Sequence, residues 1–577
     1  MAERDYTWGP VPLEDGLWNF RLWAPSAENL TLRLRGDDIP MEPEGEGWFS
    51  VTCAAEDGDS YAFVLPDGMV IPDPAARRQQ GDVHGASLVT PSRKAEFWQG
   101  RHWEEAVIYE LHLGTFTDEG TCAAAARDLP RLAELGFTAI EIMPVAQFGG
   151  DRGWGYDGVL PYAPHPVYGS PGDLAALVEA AHDAGLMVLL DVVYNHFGPD
   201  GNYLHAYAPD FFDPERQTPW GAGIDYTREP VRRFFIENAI YWLHEFGFDG
   251  LRLDAIDQIR DPSDTELLIE MAQELHARFP DRTIHLTTED NRNVTHLHER
   301  GNDGEVTLHT SEWNDDFHNA AHVIATGETE GYYEAYAEDR WGLFGTALAE
   351  GYAFQGQGGR GSKSAHLPPD VFINFLQNHD QVGNRAFGDR LTLLADADML
   401  ETLTAILFLS PHIPLVFMGD EYGETRPFCF FAGFDGDLGR AVTEGRRREF
   451  AGFSSFGDGS EVPDPIDLQT FERSRLDRAR AEDEAGRAAL DRTRHLLGLR
   501  ATHVVPYLRG AGEDSGCLIE AKDGVIAVDW QLNGAILAVR ANLGEHRVTL
   551  PEAEGEVFHQ TGTPGAPRSS LHTLKVT

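Results

Sequence analysis

At 577 residues the chain is too long for one compact core, and it predicts about three or four domains, one of them large. Apolar residues make up 42% and aromatic residues 11%, as in a globular protein, and no run of 18 apolar residues offers a transmembrane helix. Asp and Glu number 94 against 46 Lys and Arg, a formal net charge of −48, which argues against nucleic acid and membrane surfaces as partners but does not penalise a neutral sugar.

The opening stretch Met1 to Trp8 has neither a basic nor an apolar region, so no signal peptide is expected. Cys53, Cys122, Cys429 and Cys517 show no C-x-x-C spacing. They read as buried free thiols of a reducing compartment, and the expected location is cytoplasmic. Residues 1–97 alternate in short stretches (18–23, 30–34, 48–52, 61–65) separated by turns such as Pro66-Asp67-Gly68. That pattern predicts an N-terminal β-sandwich, with either glucan association or packing on the next domain as its role.

Residues 98–497 change character. Nearly continuous apolar strands are expected at 106–113, 137–143, 186–193, 248–253, 283–288, 306–309, 371–376 and 414–418, with helices between them. Ser170-Pro171-Gly172-Asp173 reads as a helix start, followed by Leu174, Leu177, Val178 and Ala181 at helical spacing and closed by Gly185. A second stripe, Val231 to Phe246, is closed by Gly247. Eight βα units predict an α/β (β/α)8 TIM barrel, and no Gly-rich turn follows the first strand as an open nucleotide-binding sheet would require. Residues 498–577 return to strands (524–530, 535–541, 546–550) and predict a C-terminal β-sandwich.

In a TIM barrel the chemistry stands at the C-terminal strand ends. Strand three ends in Asp191-Val192-Val193-Tyr194-Asn195-His196, strand four in Arg252-Leu253-Asp254, strand five in Glu289-Asp290, and strand seven in Asn378-His379-Asp380. Any one of these could be structural: an ion pair for Arg252 and Asp254, a satisfied core histidine for His196, a solvated acid for Glu289. Three carboxylates, two histidines and an arginine meeting at one mouth instead form the set that glycoside hydrolysis needs. A retaining enzyme places a nucleophilic carboxylate about 5–5.5 Å from a carboxylic acid, and neighbouring strands are about 4.8 Å apart. Asp254 therefore suits the nucleophile, kept ionised by Arg252, and the longer Glu289 the general acid/base. Asp380, His196 and His379 are placed to hold sugar hydroxyls.

These blocks, in this order, resemble the four conserved blocks of the α-amylase family of glycoside hydrolases. The resemblance implies the same roles for Asp254 and Glu289, a substrate-distorting role for Asp380, and sugar contacts for Tyr156 and Asp157. Within the family it extends over 20–25, 141–147, 154–162, 218–221, 250–257, 289–292, 313–316 and 376–384, toward the members that release trehalose. It implies retaining endo-hydrolysis of the α-1,4 bond next to the terminal trehalose of maltooligosyltrehalose, with an enzyme that makes that substrate as a functional neighbour. A general α-1,4-glucan hydrolase or a branching enzyme is the alternative. Trp220, Asp290, Trp313, Asp316 and Gln381 are the candidates for a floor that recognises trehalose by stacking and hydrogen bonds. Asn195 matches a calcium ligand of some relatives, but the loop at 197–228 is short and lacks a full set of oxygen ligands, so neither metal nor cofactor is expected.

Overall fold

The computed structural model describes residues 6–450 and 462–577. Residues 1–5 and 451–461, inside the predicted N-terminal and barrel segments, lie outside the described residues. The centre is a closed barrel of eight parallel strands in chain order. They are Ile108–Leu111, Ala139–Ile142, Met187–Val192, Gly250–Leu253, His285–Thr288, Ser311–Trp313, Phe372–Phe375 and Ile413–Phe417. Leu189, Ile373, Phe375, Ile413 and Leu415 are fully buried, so the barrel is a packed core and its work is done at its rim.

Six of the eight strands fall within the predicted windows, and the eighth begins one residue before its window of 414–418. The sixth misses its window: 306–309 forms only an isolated bridge, Arg300 to Val306, and the strand is Ser311–Trp313. The apolar signal misleads there because this short strand is half polar. Ser311 bonds the indole of Trp103 at 2.5 Å, and Glu312 lies against Thr288 inside the barrel.

The helix signals are realised in detail. Ser170 and Asp173 form a capping box on Pro171–Asp183, and Gly185 follows with φ +80°. The stripe at 231–246 forms Glu229–Tyr241 and then a π-turn Trp242–Phe246, ended by Gly247 at φ +80°. The loop after strand three carries a hairpin, Phe212–Thr218 with Gly221–Ile224, and puts Trp220 at its tip.

The N-terminal residues form two antiparallel sheets. Their aromatic rings face inward: Trp8, Trp18, Trp23 and Trp48 are buried, and Trp8 packs on Phe234 of the barrel with centroids 5.0 Å apart. Thr7 and Trp8 donate backbone N–H bonds to the buried Glu237, which fixes the start of this segment to a barrel helix. After the long helix Glu484–His503, which runs past residue 498, the C-terminal residues form one five-stranded antiparallel sheet. Barrel helices supply its second layer: the Cβ that a substitution at Gly345 would add meets Ala521 of the sheet at 2.5 Å. No strand forms at 546–550; the strands missed by alternation are Gly516–Lys522, Glu556–Thr561 and Ser569–Val576, whose patterns are interrupted by polar and exposed residues. Cys122 and Cys429 are buried as expected, whereas Cys53 is half-buried and Cys517 exposed. Among the described residues no helix is long and apolar enough to cross a membrane.

The net charge of −48 has a thermodynamic consequence. Self-repulsion opposes the compact state, and the screening length shrinks from ~10 Å at 0.1 M salt to ~3 Å at 1 M. The melting temperature is expected to rise by several degrees between 0.1 and 1 M KCl. A flat or falling trend in a calorimetric scan would remove this reading.

Candidate active site

Arg252 organises the site. It is fully buried on strand four, paired across the sheet with Asp191 on strand three and Thr287 on strand five. Its Nη1 donates to Asp254 Oδ1 at 2.6 Å and to Asp191 Oδ2 at 2.8 Å, and its Nη2 donates to Glu289 Oε2 at 2.9 Å. One guanidinium thus spans the two carboxyl groups proposed to do the chemistry. The strand register brings them together: Leu253 pairs with Thr288, so Asp254 and Glu289 are the next residues on adjacent strands.

The two acids are held differently. Both oxygens of Asp254 are acceptors, Oδ1 from Arg252 and Oδ2 from the amide of buried Asn195 at 2.9 Å. Glu289 takes both of its donors on Oε2, from Arg252 and from the backbone N–H of Ala255 at 2.9 Å. Ala255 reaches this position in a left-handed conformation, φ +42°, unusual for a residue with a side chain. Burial pushes Glu289 well above the ordinary carboxylate range, and Asp254, Asp380 and Asp315 add to the shift while Arg252 opposes it. With Oε2 occupied, the proton of the acid form belongs on Oε1. Two neighbouring carboxyl groups, one accepting only and one kept protonated, are the pair a retaining glycosidase requires.

A second chain of bonds backs the first. His379 donates from Nδ1 to Glu110 Oε1 at 2.5 Å and from Nε2 to the Tyr156 hydroxyl at 2.8 Å; that hydroxyl donates to Asp191 Oδ2 at 2.6 Å. The Tyr156 ring stacks on His379, 5.1 Å between centroids at 18°. Burial works against a charge on His379, yet Asp380 and Glu110 raise it to about 9, so it is an imidazolium at neutral pH. Asp191 is raised by burial to about 7. Asp380 lies in the first turn of the helix His379–Gly383 and is about one-third exposed to the mouth. Tyr156 reaches the centre because Gly155 lets the chain pass close: a Cβ there would lie 2.1 Å from the carbonyl oxygen of Pro144. Asp157 is half-buried beside it, and burial raises it to about 6.

On the strand-three side, buried His196 bonds Asn195 through Nδ1, and burial keeps it below its ordinary pKa. Trp220, 49% exposed, stacks on His196 with centroids 4.9 Å apart at 23°. Its ring is a fixed apolar plate at the rim. Asn195 spends its amide on Asp254 and its oxygen on His196, so neither end is turned outward for a cation.

The strand-six candidates divide. Trp313 ends strand six itself, is 2% exposed, and lies 4.2 Å from the guanidinium of Arg252. It packs under the site and has no open face. Asp316 is turned inward: Oδ2 accepts from Asn293 and from the backbone of Ala353 and Phe354, and Oδ1 from Tyr336 and Arg360. Its neighbour Asp315 faces the mouth instead, and its Oδ1 accepts from Gln381 at 3.0 Å. Asp290 is 4% exposed and is clasped by the side chain of Arg292, which is itself nearly half exposed. Of the five floor candidates, Trp220 and Gln381 stand open to the mouth. Sequence reasoning missed Glu110 and Asp315. An acid inside the apolar strand Ile108–Leu111 was the available signal for Glu110. Asp315 gave none, because consecutive helical residues point about 100° apart and the sequence does not say which of two acids faces in.

Comparisons with known proteins place the chain in a family. Residues 99–220 match the model "Alpha amylase, catalytic domain", and 513–574 match a domain of unknown function, DUF3459. A malto-oligosyltrehalose trehalohydrolase from Deinococcus radiodurans is 43% identical over 87% of this chain and 84% of its own length. One from Saccharolobus solfataricus is 39% identical over 80% of this chain and 82% of its own. A crystal structure from Salmonella typhimurium, 51% identical, superposes with a TM-score of 0.96 and covers 99% of both chains. By sequence and fold, the chain belongs to the malto-oligosyltrehalose trehalohydrolase family, among the proteins that share the alpha-amylase catalytic domain.

Proposed function

We propose that the chain hydrolyses the α-1,4 bond next to the terminal trehalose of maltooligosyltrehalose, with retention, and releases trehalose. Asp254 is the nucleophile and Glu289 the acid/base; Asp380, Asp157 and His379 hold the cleaved sugar, with Tyr156 and His196 flanking it. The observation that carries this reading is the bridge of Arg252 across both carboxyl groups, with Glu289 protonated and Asp254 accepting only. In the first step Asp254 attacks the anomeric carbon, and Glu289 gives its proton to the departing glycosidic oxygen. In the second, Glu289 takes a proton from water as the water displaces the aspartyl ester. The segment 1–97 is proposed to pack on the barrel, because Trp8, Trp18, Trp23 and Trp48 are turned inward and Trp8 meets Phe234 of the barrel. The protein is proposed to work in the cytoplasm beside an activity that converts the reducing end of a maltooligosaccharide to a 1,1-linked unit.

Substrate choice tests the reading. Trp220 and Gln381 offer a plate and an amide to a unit that bends at its 1,1 linkage. kcat/KM for maltotriosyltrehalose is expected to exceed that for maltopentaose by at least about tenfold, ~1.4 kcal/mol of differential binding. Trp220→Ala should erode that ratio more than it slows maltopentaose cleavage. Equal rates would make the chain a general amylase, and transfer to a 1,6 branch point a branching enzyme.

A further inference from the structure

Asp315 stands at the mouth with half of its carboxyl unused. It is the first residue of the helix Asp315–Thr326, capped by Asn314, and is half-buried where strand six opens. Its Oδ1 accepts from Gln381, whose own side-chain oxygen accepts from the backbone N–H of Asn378 in the capping box that also fixes Asp380. Among the described residues nothing donates to Oδ2.

An acid at a helix start favours the helix by only ~0.3–1 kcal/mol, and solvent is the cheapest place to put it. Asp316 already supplies that charge, with both oxygens bonded inside the fold. Asp315 instead faces Asp380 from the strand-seven helix, Glu289 from strand five, Arg252 from strand four, and Tyr332 and Tyr333 from the following loop, with Asp316 on its own helix. Burial, then Asp380 and Asp316, push its carboxyl up to about 7 against the pull of Arg252. Placing a third acid beside two others costs folding energy that the helix does not need. A ligand that donates to it does.

Resting on the glycosidase reading above, we propose that Asp315 and Gln381 are a hydroxyl-binding pair of the active site, Asp315 Oδ2 accepting a hydroxyl of the sugar seated between Glu289 and Asp380. The pair contributes binding through a charged acceptor, which is stronger than a neutral one. Its charge also bears on chemistry. Ionised Asp315 holds the proton on Glu289, so the alkaline limb of kcat/KM lies at higher pH with it than without it.

The experiment begins with wild-type turnover of maltotriosyltrehalose and of maltopentaose, which tests the functional reading by itself. Asp315→Asn is then assayed on whichever of these the wild type cleaves, alongside Asp316→Asn. Asp315→Asn is expected to lower kcat/KM about tenfold or more, to move the alkaline limb to lower pH, and to leave the melting temperature in place. Asp316→Asn is expected to lower the melting temperature. For Asp315→Asn, kcat/KM within about twofold of wild type, or a loss of melting temperature like that of Asp316→Asn with the limb unmoved, would overturn the assignment.

Discussion

Asp254→Asn and Glu289→Gln are each expected to cut kcat by about three orders of magnitude or more while the protein keeps its fold. The geometry says why neither loss can be compensated. Asparagine in place of Asp254 keeps the volume and one acceptor for Arg252 but has no oxygen able to form the ester with the anomeric carbon. Glutamine in place of Glu289 still accepts from Arg252 and Ala255, whose donors sit 2.9 Å from Oε2, yet it offers no acidic proton at the other position. The two variants separate on a substrate whose leaving group needs no proton. On α-maltosyl fluoride, Glu289→Gln should recover much of its first-step rate and Asp254→Asn none. Equal recovery in both, or near-normal turnover of a glucan by either, would undo the assignment of roles.

Arg252→Met is the second large effect. Methionine fills much of the volume, but three carboxyl groups lose their shared donor in a site where Arg252 has no exposure to water. Removing one partner of a buried ion pair costs about 3–5 kcal/mol. The loss has a pH signature whose sign is fixed. Asp191, raised by burial to about 7, and Glu289, raised well above the usual range, bind more protons folded than unfolded, so each lowers stability as pH rises from the unfolded value of ~4 through its folded pKa. Arg252 opposes both shifts; without it they grow. The stability deficit of Arg252→Met against wild type should therefore be larger at pH 8 than at pH 5, read by denaturant titration at both. Arg252→Lys should rescue little, because one ammonium cannot span three acceptors as the planar fork does. A deficit independent of pH would mean that Arg252 serves by packing on Trp313 alone.

How much of this was legible in the sequence depended on which physical signal each part carried. Six barrel strands are largely apolar runs buried on both faces, and such runs announce themselves; His285–Thr288 was found although three of its four residues are polar, and Ser311–Trp313, only three residues long with two of them polar, was not. The cluster at the barrel mouth was legible because acids, histidines and an arginine stand at strand ends where a structural account needs a separate reason for each. Asp254 with Arg252 was expected from their spacing on one strand and is seen at 2.6 Å. That the same arginine also holds Asp191 and Glu289 depends on register between strands, which no single strand encodes. The choice between Asp315 and Asp316 lay beyond the sequence for a similar reason, since it is set by how the helix is rotated against Gln381 and Tyr336. In the flanking sheets, alternation found the buried central strands Val525–Leu532 and Ala535–Asn542. It missed the C-terminal sheet's edges, Gly516–Lys522 and Glu556–Thr561, and its interior strand Ser569–Val576, where polar and exposed residues break the period.

The most direct measurement is real-time proton NMR of maltotriosyltrehalose in the first minutes of turnover. Free trehalose and maltotriose are expected in equal amounts, with the new reducing end appearing first as the α anomer and only later mutarotating. Double displacement through Asp254 forces that order. The β anomer first would show a single displacement by water, and cleavage without trehalose would show that the leaving-group side of this mouth does not recognise the 1,1-linked unit.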